Sequence, residues 1–278
     1  RCAKHIISEK PLCMDINECK EIASFKLAYG QKNIVASHPQ YHPVIVETGR
    51  LLPDIKKIFH MELSFSMYRT EIRWKHLLQS GGGILRELCG HLIDVSNNWL
   101  GDVRSVYGCN KIILPGREVE DLTANIIEYK CGASVYLSAN YFERKSRTYN
   151  GKIFGTGGEI EFTLSSYDPD DSRITLYTDE GQREVSVTIP HEIDSVYPGH
   201  LDSFKKQIEH CIDTILYDLK DDSVFAEMKT MQIIDASYES QRQGRRIDLP
   251  LKSFSSSELK ECYNYFDYSE NLIDDSLQ

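Results

Sequence analysis

Residues 81–94 read Gly81-Gly82-Gly83-Ile84-Leu85-Arg86-Glu87-Leu88-Cys89-Gly90-His91-Leu92-Ile93-Asp94. Three consecutive glycines are unfavourable inside a helix, so they predict a turn directly before one. In such a turn the backbone can approach a ligand or another chain segment closely. At about 100° per residue, Glu87, His91 and Asp94 fall in one narrow arc of that helix. The neighbouring stripe is apolar and consists of Leu85, Leu88, Leu92, Val95 and Trp99. One face is therefore expected to pack, and the polar face carries either catalytic groups or a solvated surface.

The N-terminal segment predicts a β-α-β unit. Ile6-Ile7 is a short β-prone run, residues 15–18 have the spacing of a helix capping box, and residues 33–37 indicate the next strand. Lys10 follows the first strand, at the carboxyl end where open α/β sheets bind ligands. Pro11 fixes the chain direction just after the lysine. A lysine in this place can act on an alcohol or carbonyl oxygen, although a lone surface lysine is more often a solvated charge.

Together, the two motifs resemble the Gfo/Idh/MocA family of nicotinamide-dependent oxidoreductases. That family has a Glu-Lys-Pro loop in its dinucleotide-binding domain, and a Gly-Gly-Gly helix with an acid, a histidine and an aspartate in its second domain. Further matching segments are, in chain order, Trp74, Gly155-Thr156-Gly157-Gly158-Glu159-Ile160, Tyr238-Glu239-Ser240, Gly244 and Leu249-Pro250. The resemblance runs from about Lys4 to Leu251.

Two parts of the sequence depart from the family pattern. Glu87 stands where the family usually has aspartate, so the carboxylate is kept but lies one methylene further out, and Cys89 stands where glycine is usual. In residues 37–43, Pro39 and Gln40 occupy the positions of an arginine pair that many members have. We therefore expect the contacts of this loop with substrate or cofactor to differ from those of the family.

The resemblance implies hydride transfer between NAD or NADP and a secondary alcohol or ketone of a sugar or cyclitol. In that scheme His91 accepts the hydroxyl proton, and Lys10 donates a hydrogen bond to the same oxygen. Glu87 and Asp94 orient the imidazole or bind neighbouring hydroxyls. The implied cofactor loop comprises Glu9, Lys10 and Pro11, and the implied substrate contacts are Asp94, His38 and Trp74.

One motif that the resemblance implies is missing. A dinucleotide-binding domain of this kind begins with a strand and a Gly-x-Gly-x-x-Gly turn, whose backbone amides bind the pyrophosphate. No such turn occurs in the sequence. The nearest segment, residues 155–158, lies between strand-like runs and is interpreted as a hairpin turn. We expect the chain to be N-terminally truncated relative to the family, without most of the Rossmann domain and without the cofactor phosphate site.

The composition limits the classes of partner. With 278 residues and 41% hydrophobic content, the chain can bury a large core. The net charge of −10 and the lack of a basic stripe argue against a nucleic-acid partner. No apolar run is long enough to span a bilayer, so we expect no membrane partner and take the cytoplasm as the default location. The eight cysteines form no Cys-x-x-Cys or Cys/His cluster, so they are interpreted as reduced thiols and no metal site is predicted.

The remaining pattern predicts an α+β fold. Strand-like runs recur from residue 60 to 189 with short connections, which favours an open, mostly antiparallel sheet with helices on one face, following the remnant β-α-β of a Rossmann domain. Helical periodicity returns at 223–243 and at 201–216, where the expected buried face is Leu201, Phe204, Ile208, Ile212 and Ile215. The expected domains are a dinucleotide-binding remnant (1–42), a substrate-binding and oligomerisation domain (43–252) and an acidic tail (253–278). The tail is expected to be partly disordered or to pack as a short appendage.

An open sheet with helices on one face leaves its other face to be covered. The alternation of Val185, Val187 and Ile189 indicates that this face is apolar, so we predict a homo-oligomer that forms through it. A face covered by the chain's own tail is the alternative.

Two other classes of function stay open. One is a non-catalytic binding or oligomerisation module derived from this family. The other is a metal-dependent hydrolase or isomerase with Glu87, His91 and Asp94 as ligands, which is disfavoured because one helix supplies too few ligands.

Overall fold

The N-terminal segment forms the predicted β-α-β unit. A computed structural model describes residues 4–25, 30–69, 71, 74–144, 147–190 and 200–265. In it, β1 (Ile6–Glu9) pairs in parallel with β2 (Asn33–Ala36), and α1 (Ile16–Ser24) connects them. The Asp15 carboxylate accepts hydrogen bonds from the backbone N–H groups of residues 17 and 18, both at 3.0 Å, and so caps α1. The capping signal in the sequence therefore starts the helix where expected.

A second, much larger sheet of ten strands forms the body of the described structure. Its spatial order is β10-β9-β8-β7-β3-β6-β5-β4-β11, and β12 pairs with β4. The strands are β3 (Ile58–Ser66), β4 (Val103–Ile112), β5 (Leu122–Tyr129), β6 (Ser134–Asn140), β7 (Thr148–Gly155), β8 (Gly158–Ser165), β9 (Arg173–Thr178), β10 (Gly181–Val185), β11 (Ile247–Asp248) and β12 (Asn264–Tyr265). All pairs are antiparallel except β3 with β6 and β12 with β4. This confirms the predicted mostly antiparallel sheet, and the turn between β7 and β8 confirms the hairpin at residues 155–158.

Helices cover one face of the large sheet. They are α2 (Pro43–Leu51), α3 (Gly90–Leu100) and α5 (Ser223–Gln243), while α4 (Leu201–Leu216) packs near β2 and residues 38–41. The alternate residues Met61, Leu63 and Phe65 of β3 are buried beneath the helices. The α+β architecture with helices on one face is therefore as predicted. Among the described residues, no helix combines the length and apolar content that a bilayer crossing requires.

The glycine turn allows two close approaches of the chain. A Cβ at Gly82 would lie 1.5 Å from the carbonyl oxygen of Lys75, and a Cβ at Gly83 would lie 2.3 Å from the Glu120 carboxylate. Gly81 and Gly83 also have positive φ, which disfavours other residues. After the turn, residues 85–89 form one π-helical turn before α3 begins. Such a turn adds a residue to the helix and rotates the side chains that precede it relative to those that follow.

Two predicted details are wrong. The last strand-like run ends at Val185, and Val185, Val187 and Ile189 pack against the core instead of lining the open face. In α4, Ile208 and Ile212 are 45% exposed, whereas the buried positions are Ser203, Gln207, Cys211 and Thr214. The reason lies in the surface that α4 covers: it packs against the small β1–β2 sheet, where Gln207 donates to Glu9 at 3.3 Å, so polar side chains line the contact.

The tail packs against the core as far as it is described. Phe254, Leu259 and Cys262 are buried, so the appendage alternative holds for residues 253–265, and residues 266–278 lie outside the described part. Cys13 and Cys19 form a disulfide, with Cα atoms 5.9 Å apart. The interpretation of all cysteines as reduced thiols is therefore wrong for this pair, because the loop before α1 folds back onto its first turns.

Candidate active site

A cavity of about 370 Å³ lies between the loop after β1, the glycine turn and the start of α4. It gathers residues from distant parts of the chain. The residues that line it are Glu9, Lys10, Pro11, His38, Trp74, Lys75, Ser80, Gly81, Gly82, Arg86, Glu87, Leu88, His91, Arg147, Tyr149, His200 and Phe204. Seven of the eight residues predicted as site residues are therefore at this cavity, and only Asp94 lies outside its lining.

Lys10 lies where the sequence predicted it, after the carboxyl end of β1. Its ammonium group donates a hydrogen bond to the backbone carbonyl of Glu87, which joins the lysine loop to the helix across the cavity. Burial lowers the pKa of Lys10 to about 8, although the negative charges of Glu87 and Glu227 act to raise it. An amine with this pKa changes its charge close to neutral pH.

His91 is 94% buried in the cavity wall, and its Nδ1 has no hydrogen-bond partner among the described residues. Its ring lies edge-on to His38, with centroids 4.8 Å apart, and near Tyr149 at 6.4 Å. Burial, and then the charge of Lys10, lower the pKa of His91 well below its ordinary value. The imidazole is therefore neutral and able to accept a proton or a hydrogen bond.

Glu87 is anchored by three side chains. Its carboxylate accepts from Lys75 at 2.9 Å, from Arg69 at 3.3 Å and from the Tyr141 hydroxyl at 2.7 Å. Burial alone would raise the pKa of Glu87, but the charge of Lys75 and the hydrogen bond from Tyr141 lower it to about 2. Glu87 is thus a fixed anion that positions the rim of the cavity.

Asp94 lies outside the lining of the cavity. It accepts from Ser37 at 2.6 Å and from Gln40, in the loop after β2, and burial raises its pKa. Glu87 and His91 therefore line the cavity together, whereas Asp94 of the same predicted arc contacts the loop after β2 instead. No group of three potential metal ligands occurs among the described residues.

The other predicted site residues line different walls. The His38 ring stacks on Phe204 with centroids 4.1 Å apart, and burial lowers the pKa of His38 to about 2. Trp74 is 64% exposed at the rim, with the Lys75 ammonium 5.5 Å from its ring. Glu9 accepts from Gln207 of α4 at 3.3 Å. Pro11 lines the cavity beside Lys10.

The lining residues that sequence reasoning missed include Arg147, Tyr149, His200 and Phe204. Arg147 directly precedes β7, Tyr149 lies at the start of β7, and His200 precedes α4, all far along the chain from the glycine helix. No local pattern distinguishes these residues, because only tertiary packing brings them to the cavity. Cys89, by contrast, is fully buried, and burial raises its pKa, which indicates a packing role.

Residues 54–161 match the model of a family described as GFO/IDH/MocA C-terminal domain. A comparison with curated protein sequences gives no significant match. Solved structures with a similar fold include an oxidoreductase from Desulfitobacterium hafniense, described as NADPH-dependent (TM-score 0.76, 17% identity, 88% of this chain and 72% of that chain). Levoglucosan dehydrogenase in complex with NADH and levoglucosan has a TM-score of 0.76 at 18% identity, over 90% of this chain and 75% of that chain.

A third similar structure is an oxidoreductase from Agrobacterium radiobacter in complex with NAD+, L-tartaric acid and magnesium (TM-score 0.71, 20% identity, 88% of this chain and 72% of that chain). At these identities, the neighbours establish the fold. Together with the sequence match at residues 54–161, they confirm the resemblance drawn from the Glu-Lys-Pro loop and the glycine helix. Residues 54–161 of the chain are thus similar to the GFO/IDH/MocA C-terminal domain, and the fold is shared with these oxidoreductase structures.

Proposed function

We propose that the protein is an oxidoreductase that transfers a hydride between NAD or NADP and a secondary alcohol or ketone of a sugar or cyclitol. One observation carries the proposal: an amine, Lys10, and a neutral imidazole, His91, line the same cavity at the carboxyl end of parallel strands. Structural neighbours crystallised with NADH and a sugar support the reaction class.

The proposed chemistry assigns one task to each group. Neutral His91 accepts the hydroxyl proton, and the Lys10 ammonium donates a hydrogen bond to the same oxygen as negative charge develops there. Glu87 holds Lys75 at the rim and carries the carbonyl to which Lys10 is bonded. Asp94 fixes the loop after β2 through Ser37, and so positions His38.

The residues present fit the reactive end of a nicotinamide cofactor. Glu9, Lys10 and Pro11 border the cavity, and the unpartnered buried nitrogen of His91 lies in its wall. When bound, the nicotinamide ring supplies the hydride acceptor. The chain's own contribution is to orient the alcohol and to take up its proton.

The test is direct. The purified chain is incubated with a panel of sugars, cyclitols and their acids together with NAD or NADP, and reduced cofactor is followed by its absorbance. We expect turnover with at least one polyol and one of the two cofactors. The lack of turnover with every member, in both directions of reaction, would contradict the proposal.

The missing Gly-x-Gly-x-x-Gly turn favours a second candidate, a binding or oligomerisation module without redox activity of its own. Backbone amides of such a turn normally supply most of the contacts to the pyrophosphate. Titration calorimetry with NAD and NADP separates the two candidates. Micromolar binding favours the enzyme, and no saturable binding favours the module.

The pH dependence of the reaction tests the role of Lys10. Because its pKa is about 8, Lys10 is charged below that pH and neutral above it. We expect kcat/KM for alcohol oxidation to fall above pH 8, about tenfold per pH unit, as the ammonium loses its proton. His91 adds no further break to the pH profile of kcat/KM near neutral pH, because its pKa lies well below its ordinary value.

The matched variant for this prediction is Lys10→Arg. Arginine stays charged throughout the pH range, so the break near pH 8 should disappear even if the overall rate is lower. A rate that instead rises through pH 8 in the wild-type protein would reassign the proton acceptor to the Lys10 amine.

We also propose that the chain assembles into a homo-oligomer through the open face of the large sheet. On that face Tyr107, Ile126 and Tyr136 are cross-strand neighbours in β4, β5 and β6, and each is about half exposed. This gives a contiguous apolar patch at one end of the sheet, where no helix packs among the described residues. A second copy could cover it.

The prediction is that Ile126→Glu, combined with Tyr136→Glu, shifts the assembly toward the 31.9 kDa protomer. Burial of carboxylates in an apolar interface is unfavourable, so the oligomer should dissociate while the protomer stays folded. Light scattering coupled to gel filtration measures the mass. Thr163→Glu, on the same face but in β8, is the control and should leave the mass unchanged. A wild-type protein that is already a protomer at micromolar concentration would refute the assembly.

A further inference from the structure

The loop that carries Lys10 is held by two other parts of the chain. On one side, the Lys10 ammonium donates a hydrogen bond to the backbone carbonyl of Glu87. On the other side, Pro11 has no N–H, so the first backbone donor after Lys10 is that of Leu12. This N–H donates to Oε1 of Glu227, near the start of α5, at 3.3 Å. Glu227 therefore fixes the chain directly after Lys10.

Glu227 also places a negative charge near the same lysine. Its side chain is 8% exposed and lines a second cavity, of about 210 Å³, together with Asp94. Burial raises the pKa of both Asp94 and Glu227, whereas the charge of Lys10 acts to lower both. The ammonium and the two carboxyl groups thus form one cluster of charges, with Lys10 at the first cavity and the carboxyl groups at the second.

Other titratable side chains also face Lys10, from the loops and helices packed around it. They are Glu9, His38, Lys75, Glu87 and His91. The two imidazoles are neutral, because burial lowers both of their pKa values. Glu87 forms an ion pair with Lys75 at 2.9 Å, so these two charges largely offset each other. The carboxylate of Glu227 therefore has a distinct effect on Lys10, which is to favour its ammonium form.

We propose that Glu227 is a positioning residue for Lys10: it holds the loop after β1 through the N–H of Leu12, and it stabilises the charged form of the amine. The inference rests on the proposed function, in which that ammonium donates a hydrogen bond to the reacting oxygen. Glu227 does not line the cavity of Lys10 and His91, so it acts on the reaction only through the lysine.

The test measures the protonation of Lys10 directly and needs no turnover. The protein is labelled with acetic anhydride at a series of pH values, and acetylation of Lys10 is quantified by peptide mass spectrometry. Only the neutral amine reacts, so the midpoint of the labelling profile reports the pKa of Lys10, which is about 8 in the wild-type protein. We expect Glu227→Gln to lower this midpoint by at least about half a pH unit, because glutamine keeps the acceptor for Leu12 but loses the charge.

The effects on kcat/KM should follow the same order. In Glu227→Gln, the break in the pH profile should move to lower pH together with the labelling midpoint, while the rate well below the break stays near the wild-type value. Glu227→Ala also leaves the N–H of Leu12 without its acceptor. It should lower the midpoint as well, and reduce kcat/KM below the break about three- to tenfold. Glu227→Asp keeps the charge and should restore part of the midpoint.

Glu209→Gln is the matched control, since Glu209 is exposed on α4 and lines neither cavity. It removes the same charge from the chain and should leave the midpoint unchanged. An unchanged midpoint in Glu227→Gln or in Glu227→Ala would overturn the proposal, and either variant alone decides because both remove the charge. An equal fall in Glu209→Gln would also overturn it, since net charge rather than position would then be the cause.

The same measurements separate this inference from the proposed function. A midpoint that falls in the Glu227 variants of a protein without turnover would support the action of Glu227 on Lys10 and contradict the oxidoreductase. Turnover of a polyol, with the same midpoint in all variants, would support the oxidoreductase and contradict the inference.

Discussion

We expect His91→Ala to lower kcat for alcohol oxidation about 10²- to 10⁴-fold, the usual effect of losing a general base. The imidazole is the neutral acceptor in the cavity wall, and alanine leaves no side chain there to take up the proton. Ground-state affinity for substrate should change much less. Steady-state kinetics on the active polyol, with kcat and KM resolved separately, measure the effect.

The control for this variant is His60→Ala. His60 lies in β3, contacts Ser134 at 2.8 Å and does not line the cavity, so its removal should leave kcat near the wild-type value. If His91→Ala kept near-wild-type turnover while Lys10→Met abolished it, the proton acceptor would be Lys10 or a residue of the loop after β2.

The second large effect is expected in stability. Arg86 is 1% exposed, its Nη2 lies 3.6 Å from Asp235, and its Nη1 donates to the Gly81 carbonyl at 3.3 Å. Arg86→Met removes a buried cation that faces two buried carboxyl groups, those of Asp235 and Glu120. Removal of one partner from a buried pair costs about 3–5 kcal/mol, so we expect a loss of that size in the free energy of unfolding at pH 8.

The loss of stability in Arg86→Met should depend on pH, and urea unfolding at pH 5 and pH 8 measures that dependence. Burial raises the pKa of both Asp235 and Glu120 to about 7, above their ordinary values in the unfolded chain. At pH 5 both carboxyl groups are protonated and neutral in the folded protein, so Arg86 stabilises them less. The loss in the free energy of unfolding of Arg86→Met should therefore be smaller at pH 5 than at pH 8. Arg104→Met, at an exposed position of β4, is the control and should change stability by less than about 0.5 kcal/mol. A loss that is equal at both pH values would contradict the electrostatic explanation.

Local sequence patterns were sufficient for much of the fold. The capping spacing at Asp15 predicted the start of α1, and the alternation in residues 60–67 predicted β3, because capping and strand period are determined by near neighbours along the chain. The same patterns failed for α4. Its apolar residues Ile208 and Ile212 have helical spacing, but the surface that α4 covers is polar, and no periodicity reports the character of a distant partner.

The sequence by itself determined that Lys10 follows a strand, that a glycine turn precedes His91, and that the two motifs resemble the Gfo/Idh/MocA pattern. Only the tertiary structure decided how these groups meet. Glu87 contacts Lys75 and Asp94 contacts Ser37, which simple helical geometry did not anticipate. Arg147 and His200 reach the same cavity from β7 and from the start of α4. The physical reason is that sequence patterns record contacts between residues close along the chain, whereas a site in this fold is made where distant elements pack around a shared cavity.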